Sequence, residues 1–88
     1  MVAATEDAAA MAIRRRMHEL GLSQKDLGVK VGRSQAWISQ ELLKDPDQTV
    51  KYLWAKSPET LDRLLRALQW TPEEFARHTG IYIPSEAL

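Results

Sequence analysis

The chain has no cysteine, a single phenylalanine, and only four glycines and four prolines among its 88 residues. Without cysteine there is no disulfide framework, no zinc ribbon and no thiol nucleophile. The two histidines, His18 and His78, lie far apart in sequence and leave a histidine-based metal site little material. No run of about 18 apolar residues occurs, so no segment reads as a membrane span. The start, residues 1–12, is alanine-rich but holds Glu6 and Asp7 and lacks a basic region, so it does not read as a secretory signal and a cytoplasmic location is expected. Net charge is missing as well, with 12 basic side chains against 12 acidic ones. Taken alone, that neutrality argues against a polyanionic partner.

What is present is an ordinary globular composition, 44% hydrophobic and 27% charged, at a length that allows one domain. Helix punctuation dominates it. Gly21, Gly32 and Gly80 each follow an apolar-periodic segment, where a left-handed helix cap is expected. Ser23 and Ser34 read as N-caps, and Ser57 and Thr71 each precede a proline suited to a first helical position. Thr71 with Glu74 also has the spacing of a capping box. Five helices are predicted, over about 8–20, 23–31, 34–43, 58–69 and 72–79.

Their apolar faces agree with an all-α domain spanning residues 11–80. Ile13, Met17 and Leu20 line the first helix, Leu27 and Val31 the second, and Ile38 and Leu42 the third. Leu61, Leu64, Leu65 and Leu68 line the fourth, and Phe75 and Ile81 are expected to close the core. Residues 1–10 read as a tail or the start of the first helix, and 81–88 as a tail or linker. The stretch 45–56 opens on a turn signal, Asp45-Pro46-Asp47. There Val50, Tyr52 and Trp54 alternate with Lys51, Leu53 and Ala55, the pattern of one short strand or an irregular loop.

The informative feature is a pair of short helices joined by Gly32-Arg33-Ser34. A turn this tight holds two helices at a steep angle, so that one enters a DNA major groove while the other crosses the backbone. Gly28, midway along the first of the pair, costs about 1 kcal/mol relative to alanine, a cost that makes sense if the second helix packs over it. On the second helix, Ile38 and Leu42 face inward, while Ala36, Ser39, Gln40 and Leu43 lie opposite with Gln35 near the N-terminal end. That outward surface carries no charge. Its amide and small side chains are the types that read base edges, glutamine pairing with adenine and alanine touching a thymine methyl. The plain alternative is a solvated polar face.

The stretch Leu22-Ser23-Gln24, Leu27-Gly28, Gly32-Arg33-Ser34 and Ile38-Ser39-Gln40 resembles the helix-turn-helix of the Xre/Cro-type phage repressor family. The likeness continues through residues 57–76 and covers most of 11–80. It implies a five-helix, lambda-repressor-like fold with an extended loop between the third and fourth helices. By that likeness Gln35, Ala36, Ser39 and Gln40 fall where the family reads bases. By the same likeness Gln24 clamps a phosphate; Lys30, Arg33, Ser34, Lys44 and one or two of Arg14, Arg15 and Arg16 are candidate DNA-backbone contacts, the alternative for Arg14 or Arg16 being a pairing with an acidic neighbour. Trp37 is either a sugar-phosphate contact or a partly buried core residue. Two departures stand out. Glu41 occupies a position that is apolar in the family, so Leu42 is expected to take its core role with the helix end rotated. The link 44–56 is also longer than usual, and its Lys51 and Lys56 are candidate phosphate contacts, while Tyr52 and Trp54 either join them or cover the core.

The long link and the closing Ile81-Tyr82-Ile83-Pro84 are similar to the DNA-binding module of LexA-like or phage-type two-domain repressors. That likeness implies a nucleoid-associated regulator, a homodimer on double-stranded operator DNA, and a C-terminal dimerisation or regulatory domain absent from this chain. No cofactor is implied. An enzyme is not expected, because no glycine-rich phosphate loop, metal spacing or nucleophile set can be assembled. The rival reading is a protein-interaction module, an antitoxin or scaffold on the same fold. The overall neutrality itself is a cancellation. Residues 13–44 hold seven basic and three acidic side chains, and the flanking segments return the excess of four.

Overall fold

The computed structural model describes residues 8–84, and among them every regular element is helical. Helix α1 (Ala8–Leu20) leads through Gly21 and Leu22 into α2 (Gln24–Val31). Ser23 and Asp26 form a reciprocal cap, the serine hydroxyl accepting from the Asp26 N–H at 3.0 Å and the carboxylate accepting from the Ser23 N–H at 3.1 Å. Helix α3 (Gln35–Trp37) continues without interruption into a π-helical turn, Ile38–Leu42, closed by the Leu43 N–H donating to the Ile38 carbonyl at 2.9 Å. Then come α4 (Pro46–Lys56), α5 (Pro58–Leu68) and α6 (Pro72–Thr79).

The described residues therefore form six helices where the sequence reading has five, and 45–56 is neither strand nor loop. Asp45 caps α4 by accepting from the Gln48 N–H at 3.2 Å, with Pro46 at the first helical position. The apolar alternation was a coincidence of composition. Thr49, Val50 and Leu53 are buried at helical spacing, whereas Tyr52 and Trp54 are 58% and 44% exposed. The extended loop expected between the third and fourth helices is a helix.

Helix α5 organises the core. Leu61, Leu64, Leu65 and Leu68 are all buried, one face packing on α2 and another on α4, while α1 packs against α5 and α6. Burying a leucine side chain contributes about 1.5–3 kcal/mol, so this one helix anchors three others. Ile13, Met17, Leu27, Val31, Ile38, Leu42 and Phe75 are buried as their periodicity predicts, but Leu20 is only half-buried. Leu43, expected on the outward face, is buried too. The chain past α6 does not leave the body at residue 81: Ile81 and Ile83 are both buried, with Tyr82 between them 81% exposed. Of the expected tails, 1–10 and 81–88, residues 1–7 and 85–88 lie outside the described residues.

Arg16 ties the first helix to the fifth. Its guanidinium donates to the Leu68 carbonyl at 2.8 Å and to the Gln69 carbonyl at 3.3 Å, satisfying acceptors at the end of α5 that have no partner within the helix. Gln69 itself closes α5 in the left-handed conformation, with φ of 57°.

Candidate nucleic-acid interface

The turn between α2 and α3 is built on two glycines. Gly32 ends α2 at φ 83°, its N–H donating to the Gly28 carbonyl at 2.8 Å, and the Arg33 N–H donates to the same oxygen at 2.8 Å. Gly28 lies directly under the turn backbone, with the Arg33 carbonyl where a side chain would begin. Ser34 then starts α3, its hydroxyl accepting from the Trp37 N–H at 3.0 Å. Of the roles expected for it, the cap is the one this geometry supplies.

Three stripes run along residues 35–42. Ile38 and Leu42 are buried, Gln35, Ala36 and Gln40 are exposed, and Ser39 is half-buried. The Ser39 hydroxyl donates back to the Ala36 carbonyl at 3.2 Å, which leaves the oxygen's lone pairs able to accept. These four side chains form one uncharged surface beside the α3 N-terminus. The third stripe, Trp37 and Glu41, faces α4.

The π-turn explains how Glu41 fits. Widening the helix by one residue leaves Glu41 exposed and brings both Leu42 and Leu43 into the core after Ile38. Leu42 is buried, as expected of it.

The basic side chains divide. Lys30, Lys44 and Lys56 are exposed, and half-buried Gln24 opens α2. Lys30 shares a shallow recess of about 250 Å³ with Arg63, Arg66 and Ala67, which extends the positive surface to two arginines the sequence reading had not assigned. Arg66 is ion-paired with Asp62 at 2.8 Å, and Lys51 with Asp47 at 3.2 Å. Such exposed pairs contribute about 0–1 kcal/mol and exchange readily for another anion. Arg14 and Arg15 are exposed, whereas Arg16 is occupied with the end of α5 and pairs with Glu19 at 3.2 Å, the alternative expected for it.

Trp37 is half-buried against the core, and the Arg33 guanidinium lies over its ring, 5.1 Å from the centroid. Of the two roles open to Trp37, core contact is present, and its outer face is given to Arg33. A groove of about 360 Å³ separates this pair from α4, lined by Arg33, Trp37, Glu41, Gln48, Thr49 and Tyr52. Its floor is fixed where the Thr49 hydroxyl donates to the Glu41 carbonyl at 2.8 Å. The sequence reading had no place for this groove, because it depends on α4 being a helix; the one available signal was Asp45-Pro46 as cap and first turn. No cluster of histidine, aspartate and glutamate able to hold a metal occurs among the described residues. No helix among them is long and apolar enough to cross a membrane. Compared with protein-family models, curated proteins and solved structures, the chain matches none.

Proposed function

We propose that the chain is a sequence-specific DNA-binding domain with a lambda-repressor-like helix-turn-helix, from a prokaryotic or phage transcriptional regulator acting as a repressor. The observation that carries this reading is the uncharged stripe of exposed Gln35, Ala36 and Gln40 with half-buried Ser39 on the helix that follows the glycine turn. Residues 35–42 lie in the major groove, where the two glutamines pair with base edges and Ala36 meets a thymine methyl. Gln24, Lys30, Arg33 and Lys44 contact phosphates, which fix register without reading sequence. The protein binds a pseudo-palindromic operator as a dimer, with half-sites one helical turn, about 10 base pairs, apart.

The excess of four positive charges over residues 13–44 supplies the attraction, while the acidic flanks limit non-specific binding. An interaction module is the alternative, favoured by exposed Tyr52 and Trp54. Two residues apart on a helix, however, they point about 200° away from each other and do not make one patch.

Selection of bound sites from random duplexes, with the oligomeric state measured alongside, tests the reading. A paired half-site motif at about one-turn spacing is expected. Binding without sequence preference or salt dependence overturns it. Gln35→Ala should weaken the selected site by about 1–3 kcal/mol and relax preference at one base pair; equal weakening of every sequence would make Gln35 a backbone contact.

A further inference from the structure

The groove between the α3 flank and α4 lies outside the base-reading stripe and has a ligand chemistry of its own. Its volume, about 360 Å³, is at the lower end of the range for small-molecule sites, about 300–1,000 Å³. Aromatic, cationic and anionic side chains line it together, an arrangement suited to neither a purely apolar nor a purely anionic ligand. Tyr52 is 58% exposed and offers the free aromatic wall, since the guanidinium of Arg33 covers Trp37. That contact keeps the guanidinium beside the groove, where its N–H groups are available to a phosphate. The Glu41 carboxylate disfavours a phosphate at its own end of the groove and matches a ligand edge with two adjacent N–H donors. Gln48 adds both a donor and an acceptor on the α4 side. The Thr49 hydroxyl, committed to the Glu41 carbonyl, keeps the two walls at a fixed separation.

We infer that this groove is a guanine-nucleotide site, the base stacking on Tyr52 with its N1–H and 2-amino group donating to Glu41, and the phosphate held by Arg33. Adenine presents an amino group next to an acceptor and cannot satisfy the carboxylate in the same way. The nucleotide is either free or part of a single strand, and the chemistry at the groove is the same. The site shares Arg33 with the proposed duplex contacts, so it is tested without duplex DNA.

Isothermal titration of the chain with GMP, AMP and guanosine is the experiment. Saturable GMP binding is expected, with AMP weaker by about tenfold or more, the discrimination a bidentate base contact supplies. Guanosine should bind more weakly than GMP, and Arg33→Ala should remove that difference. Glu41→Gln, at an exposed position, should erase the preference for GMP over AMP while far-ultraviolet circular dichroism stays unchanged. Tyr52→Ala should weaken both nucleotides. A single-stranded trinucleotide with a central guanine forms the second arm. Tighter binding of the strand than of GMP assigns the site to a strand nucleotide, and weaker or equal binding to the free one. Absence of saturable binding of both, or equal affinity of the unaltered chain for GMP and AMP, overturns the inference.

Discussion

A Cβ built on Gly28 would lie 2.7 Å from the carbonyl oxygen of Arg33, and 3.2 Å from the carbonyl carbon of Ser34. The backbone of the turn thus rests directly on α2, and it can do so only because position 28 has no side chain. The close approach sets how near α3 comes to α2, and with it the height at which Gln35 and Gln40 stand off the domain.

Gly28→Ala should destabilise the domain. In an open helix the change would be favourable by about 1 kcal/mol on propensity alone. Here the added methyl meets backbone rather than a flexible side-chain end, so the turn must shift, and overpacking of this kind costs about 1–3 kcal/mol. A lowered urea midpoint with an unchanged m-value is the expected result. A raised midpoint would mean that the turn does not press on Gly28.

Arg16→Ala should destabilise the domain by about 1–3 kcal/mol, read as a lowered urea midpoint. It removes a charged donor from two carbonyls at the end of α5, at 2.8 and 3.3 Å, as well as the guanidinium 5.5 Å from the centre of the Trp70 ring. Arg16→Lys keeps the charge but cannot reproduce the fork across both oxygens, and should recover only part of the loss. Because Arg16 faces α5 and not the candidate interface, the salt dependence of duplex binding should be the same in both variants. A slope reduced by about 0.9 would instead make Arg16 a phosphate contact.

How much of this was legible in the sequence depends on which signals were local. The Ser23, Ser34 and Thr71 caps and the left-handed glycines at 32 and 80 are short-range chemistry, and the structure has them. The role of Gly28 was legible because a glycine in mid-helix needs a neighbour to explain it. Helix α4 was misread because Val50, Tyr52 and Trp54 satisfy a period of two by accident, and only packing on α5 decides which of them turn inward. Arg16 and Trp70 could not be joined from sequence at all, since the contact spans more than fifty residues and is made by tertiary docking. The groove beside Tyr52 was hidden for both reasons.

Acid should destabilise the domain through its capping boxes. The Asp26 carboxyl is held below its ordinary value, first by the backbone N–H of Ser23 and then by its hydroxyl, and Glu74 is lowered first by the backbone N–H of Thr71. In each case the folded pKa lies below the unfolded one, so the folded chain binds fewer protons. The contribution is then full above the ordinary carboxylate range, about 4, and is lost as pH falls through it. Thermal unfolding followed from about pH 6 to pH 3 should show a falling midpoint below about pH 4.5. Glu74→Gln keeps an oxygen for the Thr71 N–H but does not titrate, and should flatten that fall; a slope identical to that of the unaltered chain would remove the Thr71–Glu74 box as a source.

Deleting Glu41 should leave the core intact. The π-turn accommodates one residue more than an α-helix would, and Glu41 is the exposed residue it accommodates. With Glu41 removed, the two leucines that follow fall three and four positions after Ile38, the spacing at which an ordinary α-helix puts all three on one face. The shortened chain gives up the hydrogen bond from the Thr49 hydroxyl to the Glu41 carbonyl, worth about 1 kcal/mol, and regains regular helical bonding in its place. Cooperative unfolding within about 1–2 kcal/mol of the unaltered chain is expected. Leu42→Ala, by contrast, empties a fully buried site and should cost about 2–5 kcal/mol. If the deletion costs as much as Leu42→Ala, the wide turn is required by the packing of α4 rather than tolerated around an extra residue.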